Sequence, residues 1–232
     1  MMIRPLVVFL FFWMNFMAFS QDSINRTDAS GLRQGVWRKL DKEGHKVYDG
    51  QFQNGYPVGE FRYYYPNGKL KTISILSNEG KMAKTATYAI NGRKIAEGSY
   101  KNEKKDSLWK YYSDYDGLLL SEESYTFGNK NGSSKTFYPN GNVAELIHFI
   151  DGKKEGEWVQ YFDDGKIKFK GFFAGDEKEG AFTGYYPGGK INLSGSYKSG
   201  HKDGIWIFYE ENGAVIRSDT YSEGAVIKEK KQ

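Results

Sequence analysis

Eight glycines keep step along this chain: Gly44, Gly68, Gly92, Gly117, Gly141, Gly165, Gly189 and Gly213. Seven even steps separate them, but for one extra residue between Gly92 and Gly117. A second column, Phe52, Leu76, Tyr100, Tyr125, Phe149, Phe173, Tyr197 and Tyr221, repeats the same steps. Two columns that share one insertion at one place define a tandem array. A period of this kind commits a chain to stacked supersecondary units, each unable to bury its apolar face alone.

Each unit opens on glycine, with an aromatic two places on and Tyr or Phe three places further, as in Gly156-Glu157-Trp158 with Tyr161 and Gly204-Ile205-Trp206 with Tyr209. A turn follows, such as Tyr65-Pro66-Asn67-Gly68 or Tyr186-Pro187-Gly188-Gly189. Proline presets φ there, and Asn-Gly or Gly-Gly supplies the positive φ of a tight hairpin. A second strand carries the other aromatic column, and a polar stretch such as Asp151-Gly152-Lys153-Lys154-Glu155 closes the unit. Eight turn glycines and six opening glycines (Gly35, Gly59, Gly132, Gly156, Gly180, Gly204) make half of the 28. Linker glycines would hold no such phase.

The predicted fold is all-β: an elongated antiparallel β-meander or β-solenoid of about eight tandem hairpins. The array covers 35–227, with repeats starting near 35, 59, 83, 107, 132, 156, 180 and 204. A lone hairpin is marginal in water, so each must stack on the next. With strands ~4.8 Å apart the array would span roughly 75 Å. Residues 21–34 read as a linker and 228–232 as a charged tail. Trp206 and Tyr209 stand three apart, which leaves two arrangements: a bulge turns both inward, or both faces carry rings.

The N-terminus reads as a signal peptide, residues 1–20. Arg4 precedes an apolar run from Leu6 to Met14 that Phe16 to Phe19 extend, and Ala18-Phe19-Ser20 offers small residues at the cleavage positions. Leu6 to Phe19 is too short for the ~20 residues a membrane span needs. No later stretch is long enough either, so the mature chain is expected to be exported to the periplasm, the cell surface or the medium, without an integral membrane span.

Composition excludes several chemistries. With no cysteine there is no disulfide, thiolate metal site, cysteine nucleophile or lipidated N-terminal cysteine. A net charge of +4 from 33 basic and 29 acidic residues is too even for nucleic acid to be the partner. His45, His148 and His201 fall at different phases of the repeat and form no metal-binding spacing. No Gly-x-Ser-x-Gly elbow or phosphate-cradling loop appears. Asp163-Asp164 and Glu122-Glu123 read as solvated turn residues. The one irregularity, an extra residue within Ser113 to Gly117, reads as a local bulge. No catalytic, metal or cofactor site is expected.

One charged feature repeats. Lys105, Lys130, Lys154, Lys178 and Lys202 hold one loop position, each followed by Asp106, Asn131, Glu155, Glu179 or Asp203. Stacked, they would form a lysine row beside a mostly acidic row along one edge, protecting it from aggregation or offering a strip to an anionic partner. The candidate interaction and stacking residues are Trp37, Trp109, Trp158, Trp206, Tyr112, Tyr161 and Tyr209, with Lys105, Lys154, Lys178 and Lys202. Aromatics at such positions serve either the core of the stack or a contact surface.

These units resemble the MORN repeat, and more closely its bacterial variant, with its Gly-x-Trp-x-x-Tyr-x-x-x-Gly opening and Gly-Lys-x-x-Gly loop. Gly156 to Gly165 reads Gly-Glu-Trp-Val-Gln-Tyr-Phe-Asp-Asp-Gly, and Gly152-Lys153-Lys154-Glu155-Gly156 supplies the loop. The resemblance covers about residues 31 to 227. Ala83 and Thr85 depart from it in the third repeat, Ser107 and Ser134 at their own positions, and Leu40 stands where other repeats have Tyr or Phe. The resemblance implies a scaffolding or ligand-binding module, in some relatives membrane-associated and in some labelled an antitoxin.

Together these readings predict an exported, non-enzymatic repeat scaffold that holds a protein partner. Carbohydrate or cell-wall binding and antitoxin-like inhibition of a partner are the alternatives. If the leader is removed as its residues predict, mass spectrometry of the exported protein finds a mature N-terminus at Gln21. A protein that retains Arg4 contradicts the cleavage site.

Overall fold

The computed structural model describes residues 23–231; the expected signal peptide lies outside the described residues. A short strand, β1 (Arg26–Thr27), precedes the array. Four hairpins follow: β2 (Arg33–Leu40) with β3 (Lys46–Gln53), β4 (Tyr56–Tyr64) with β5 (Leu70–Ser77), β6 (Met82–Tyr88) with β7 (Lys94–Lys101), and β8 (Lys104–Tyr112) with β9 (Leu119–Thr126). The next two are β10 (Asn129–Phe137) with β11 (Val143–Ile150), and β12 (Lys153–Tyr161) with β13 (Ile167–Ala174). In the seventh, β14 (Glu177–Lys178) and β15 (Gly180–Tyr185) are two pieces of one strand that pairs with β16 (Ile191–Lys198). The eighth joins β17 (His201–Tyr209) to β18 (Val215–Ser222), and β19 (Ala225–Lys231) ends the array. Every strand pairs antiparallel with its neighbour in sequence, β13 pairing with both β14 and β15. The result is one open antiparallel meander.

The turns follow from their residues. Within a hairpin the N–H of Tyr65 donates to Lys69 O and that of Gly68 to Tyr65 O, and the same pair of bonds recurs at Tyr138, Phe162, Tyr186 and Glu210. In the fourth hairpin Ser113 N–H reaches one residue further, to Leu118 O. The extra residue of the fourth repeat therefore lengthens a turn and is not the expected strand bulge; a turn tip absorbs an insertion without disturbing the ladder. Turn tyrosines also tie successive repeats together: the hydroxyls of Tyr65, Tyr138 and Tyr186 donate to the carbonyls of Tyr88, Tyr161 and Tyr209 at 2.9, 2.7 and 2.7 Å.

Between hairpins the loop is shorter than the sequence suggested. Asp151 and Gly152, at φ 48° and 86°, are the two central residues of a tight turn closed by Ile150 and Lys153. Lys153, Lys154 and Glu155, expected in a loop, already belong to β12. The lysine row accordingly lies on strands and not along a loop edge.

Most opening strands then bulge. Between Ser194 and Ser196 the register shifts, so that Gly195 alone faces the stretch Gly204-Ile205-Trp206. The opening glycine supplies the left-handed backbone this needs; Gly204 has φ 68°. The bulge lays the Trp206 ring over Gly195, where an added Cβ would overlap the ring atoms. The same pairing puts Phe61 over Gly50 and Trp109 over Gly98 as closely, and Phe182 against Gly171, where an added Cβ would come within 3.0 Å of the ring. Among the described residues no second layer covers the sheet, and ring on glycine is how it covers one of its faces.

The third repeat breaks this pattern because its opening residue does not take the left-handed backbone, which Ser107 takes in the fourth repeat at φ 61°. Its opening residue, Ala83, is not among the positive-φ residues, and β5 and β6 pair in one unbroken register from Thr72↔Thr87 to Ser77↔Met82. The two residues a bulge would hold are displaced into the turn, where Asn78, Glu79 and Gly80 take φ 51°, 57° and 81°. Register is thereby restored for the repeats that follow.

Both ends of the array differ from expectation. Within the expected linker 21–34, Arg26 and Thr27 pair with Gln34 and Arg33, and the carbonyl of Arg26 accepts from Trp37 Nε1 at 3.1 Å. Most of the expected tail 228–232 belongs to β19, which pairs with β18 through Lys231. Each addition gives hydrogen bonds to a strand that would otherwise be an unpaired edge.

Gly195→Ala is expected to destabilise the array by about 1–3 kcal/mol, because its Cβ overlaps a buried ring. Gly188→Ala, with open space around it, should cost far less. Denaturant unfolding compares them; equal midpoints would remove the ring-on-glycine contact as a packing constraint.

Candidate functional site

Both faces of the sheet carry aromatics, which decides between the two arrangements left open by the sequence. Trp206 lies over Gly195, whereas the Tyr209 hydroxyl lies 3.4 Å from that of Ser194, on the other side of the same strand. One face, the ring face, carries Trp37, Phe61, Trp109, Trp158, Phe182 and Trp206 with the second-strand column. The other, the tyrosine face, carries Tyr64, Tyr112, Tyr161 and Tyr209.

On the ring face the tryptophans are core. Trp206 is 1 % exposed, Trp109 3 % and Trp158 8 %, and Trp37 is half-buried. Edge-on contacts link them to the second-strand column: Trp109 to Tyr100 at 4.9 Å, Trp206 to Tyr197 at 5.1 Å and Trp37 to Phe52 at 5.8 Å. The indole N–H of Trp109 donates to Ser99 O and that of Trp206 to Ser196 O. Trp158 leans differently. Ile147 fills the place that glycine holds elsewhere, and the Trp158 N–H donates instead to Glu145 Oε1 at 2.9 Å.

The lysine row lies over these rings. Lys202 Nζ sits 4.4 Å from the Trp206 centroid and Lys105 4.7 Å from that of Trp109. Lys154 covers Phe173 at 4.9 Å, Lys178 covers Trp158 at 5.0 Å and Lys130 covers Phe149 at 5.2 Å. All five are half-buried. Their stems shield the rings while the ammonium groups meet the negative ring faces, so the row is part of the packing and not a solvated fringe.

Ringless repeats show what else the ring face can hold. In the fifth, Ser134 stands opposite Glu123. Long polar chains fill the space: Glu123 accepts from Lys130 at 2.7 Å and from the Tyr125 hydroxyl at 2.6 Å, and Lys105 donates to the Tyr111 hydroxyl. Burial, then the bond to Glu123, pushes the Tyr125 phenol far up. In the third repeat the residues are short. Ser74 and Thr85 are buried and share a hydrogen bond of 2.9 Å. Lys81, drawn into the displaced turn, pairs with Glu79 at 3.1 Å and covers no ring. A cavity of about 550 Å³ remains, walled by Tyr48, Phe61, Tyr63 and Tyr100 and floored by Ser74 and Thr85. Burial, then the neighbouring Tyr48, raises the Tyr63 phenol.

The tyrosine face is ionic. Asp49 holds Arg38 at 2.6 Å and Lys46 at 2.8 Å; Glu97 holds Lys94 at 2.8 Å; Glu122 holds Lys110 at 3.1 Å. Tyr112 donates to Glu97 at 2.5 Å. Exposed apolar side chains stand between these pairs at Ile75 and Leu108, and beyond them, in the sixth and eighth repeats, at Phe172 and Ile205. Sequence reasoning missed the cavity and the strand glycines Gly50, Gly98, Gly171 and Gly195 beneath the rings. Their signal was present: Gly50 precedes Phe61 by the same interval that separates Gly98 from Trp109, Gly171 from Phe182 and Gly195 from Trp206.

The fold and the ring face define a class: a single-sheet β-hairpin repeat protein whose units pack through rings on glycines. The chain belongs to the MORN repeat variant family, which matches residues 57–78, 130–151, 154–174, 178–199 and 202–223. No curated protein matches it. Among solved structures it is similar to the TcdB2-TccC3-TEV crystal structure (13% identity, TM-score 0.24), covering 88% of this chain and 13% of that one. It is also similar to the Photorhabdus luminescens Tc holotoxin pore with the TccC3-D651A mutation (11% identity, TM-score 0.23), with 88% and 13% covered. A porin-like protein from Bacteroides uniformis ATCC 8492 (11% identity, TM-score 0.21) is covered over 91% of its length, and this chain over 83%. The chain thus spans about an eighth of the first two, and likenesses this slight assign no activity.

Tyr112 offers a test of the tyrosine face. Burial and then the bond to Glu97 push its phenol up to about 12, while Lys94 and the Tyr112 hydroxyl hold Glu97 below its ordinary value. The raised phenol contributes stability that is complete below pH ~10 and lost as pH rises through its folded value. The depressed carboxyl contributes stability present above its unfolded value and lost as pH falls through its folded one. Ultraviolet titration should find Tyr112 still protonated near pH 11, and Glu97→Gln should bring its ionisation down toward 10. No change in the Glu97→Gln titration would exclude that bond.

Proposed function

We propose that this MORN-variant repeat protein is an exported, non-enzymatic scaffold of the bacterial envelope that holds a protein partner along its tyrosine face. The observation that carries the reading is the division of labour between the two faces. Rings, glycines and lysines are consumed in covering one face. The other displays Tyr112 among paired charges and, in later repeats, Tyr161 and Tyr209, with Ile205 62 % exposed and Phe172 45 %. Aromatic and aliphatic anchors inside a field of satisfied polar groups suit a protein partner. The acidic members of the ion pairs oppose a phosphate polymer. Among the described residues no helix is long and apolar enough to cross a membrane.

Envelope co-purification with chemical crosslinking tests this. The double variant Ile205→Glu, Phe172→Glu alters exposed side chains and should keep the far-ultraviolet circular dichroism of the parent. It should lose the crosslinked partner by at least about tenfold, as expected when central apolar anchors are removed. A partner retained in full by the folded double variant would sink this assignment of the face. Cell fractionation that recovers the protein in the cytoplasm would sink its location.

A further inference from the structure

We propose that the cavity in the third repeat is a binding site for a neutral pyranose ring of a glycan. It lies on the ring face, so it is independent of the protein-partner reading. Its shape, its lining and its charge each point there.

The cavity is a vacated ring seat. In the second, fourth, seventh and eighth repeats the corresponding seat is filled by Phe61, Trp109, Phe182 and Trp206, each over a glycine. Here Thr85 and Ser74 face each other in the same register, and both are buried. The neighbouring rings survive on both sides, Tyr48 with Phe61 and Tyr63 on one and Tyr100 on the other. A flat group the size of a six-membered ring is the shape that such a seat accepts.

The lining is amphipathic. A second protein ring would find a dry, apolar slot in the other repeats, where glycine forms the floor. Here the floor is hydroxyl: Thr72 and Thr87 are paired across the strands beside Ser74 and Thr85, and all four line the cavity. A pyranose presents C–H groups to aromatic walls and hydroxyls to a polar floor, so it satisfies both surfaces at once.

Charge selects a neutral ligand. The ionic groups at the cavity are Lys81 and Glu103, of opposite sign, and Lys81 is already held by Glu79 at 3.1 Å. The other ringless repeat makes the contrast, since Glu123, Lys130 and Lys105 occupy its seat themselves. The third repeat keeps its seat open because its own side chains are too short to fill it.

Isothermal titration calorimetry and saturation-transfer NMR with cellotriose, maltotriose and chitotriose test the proposal. At least one should bind with a Kd below about 1 mM. The double variant Ser74→Gly, Thr85→Phe puts a ring into the open seat. It should stay folded, melt no lower than the parent, and bind that sugar at least about tenfold more weakly. Thr87→Val, which keeps the shape and removes one hydroxyl, should weaken it several-fold. The Ile205→Glu, Phe172→Glu protein should bind it unchanged, which separates this site from the partner face. Absence of binding by all three sugars at 10 mM, on the order of ten times the weakest expected Kd, overturns the proposal. So does sugar binding that survives the filled seat. Displacement of the sugar signal by indole, with indole binding more tightly, would overturn it in favour of a protein side chain.

Discussion

A ring laid over a strand glycine is the contact on which this molecule depends. A β-sheet normally buries a face against a second layer about 10 Å away. Among the described residues this sheet has none. Most of its opening strands bulge at a residue of positive φ, the ring two places on swings across the preceding strand, and a glycine there leaves room for it to lie flat. Trp206 reaches 1 % exposure in this way without any partner layer. A half-buried lysine then covers ring edges and faces that neighbours leave open. Sequence spacing, backbone conformation and side-chain choice are therefore one device: without the glycine under the ring the seat is blocked, and without a residue of positive φ at the bulge, Gly204 in the eighth repeat and Ser107 in the fourth, the register does not shift.

The device explains its own exceptions. Ile147 beneath Trp158 leaves no glycine seat, and the indole turns to Glu145. Asp219 stands in the last place of the same column, after which no further ring arrives. It is 2 % exposed, and Arg217 Nε lies 3.4 Å from one carboxylate oxygen while the other has no partner. Ser134 gives up its ring, and Glu123 replaces the missing packing with hydrogen-bonded ions. A substitution in the ring column is answered in the seat column of the preceding strand: Ser134 by Glu123, and Thr85 by Ser74.

The hairpins, their number and their order could be read from the glycine and aromatic columns, because turn chemistry and period are local properties. Which face each aromatic takes could not. Trp206 and Tyr209 are separated by a spacing that either arrangement allows, and the shift that decides it is a property of the ladder with Ser194 and Ser196. The lysines read as loop residues because Asp151-Gly152-Lys153-Lys154-Glu155 looks uniformly polar; a two-residue turn ends that loop early and turns Lys154 onto Phe173. Ala83 and Thr85 are legible as departures from the repeat, but their consequence appears only when Ser74, on the strand before, is read with them.

Because each hairpin touches only its neighbours, a defect in one repeat is a local matter. The third repeat shows how this permits a site to exist. Losing a buried ring in a globular core would strain or hollow a structure on all sides. Here the missing ring at Thr85 is bounded by the second and fourth repeats, and the displaced turn at Asn78-Glu79-Gly80 returns the chain to the common register before β7 begins. The repeats beyond keep their own rings on their own glycines. An array of this kind can therefore hold an open seat at one position while its other repeats keep their packing, and the two polar side chains that meet there, Ser74 and Thr85, satisfy each other when the seat is empty.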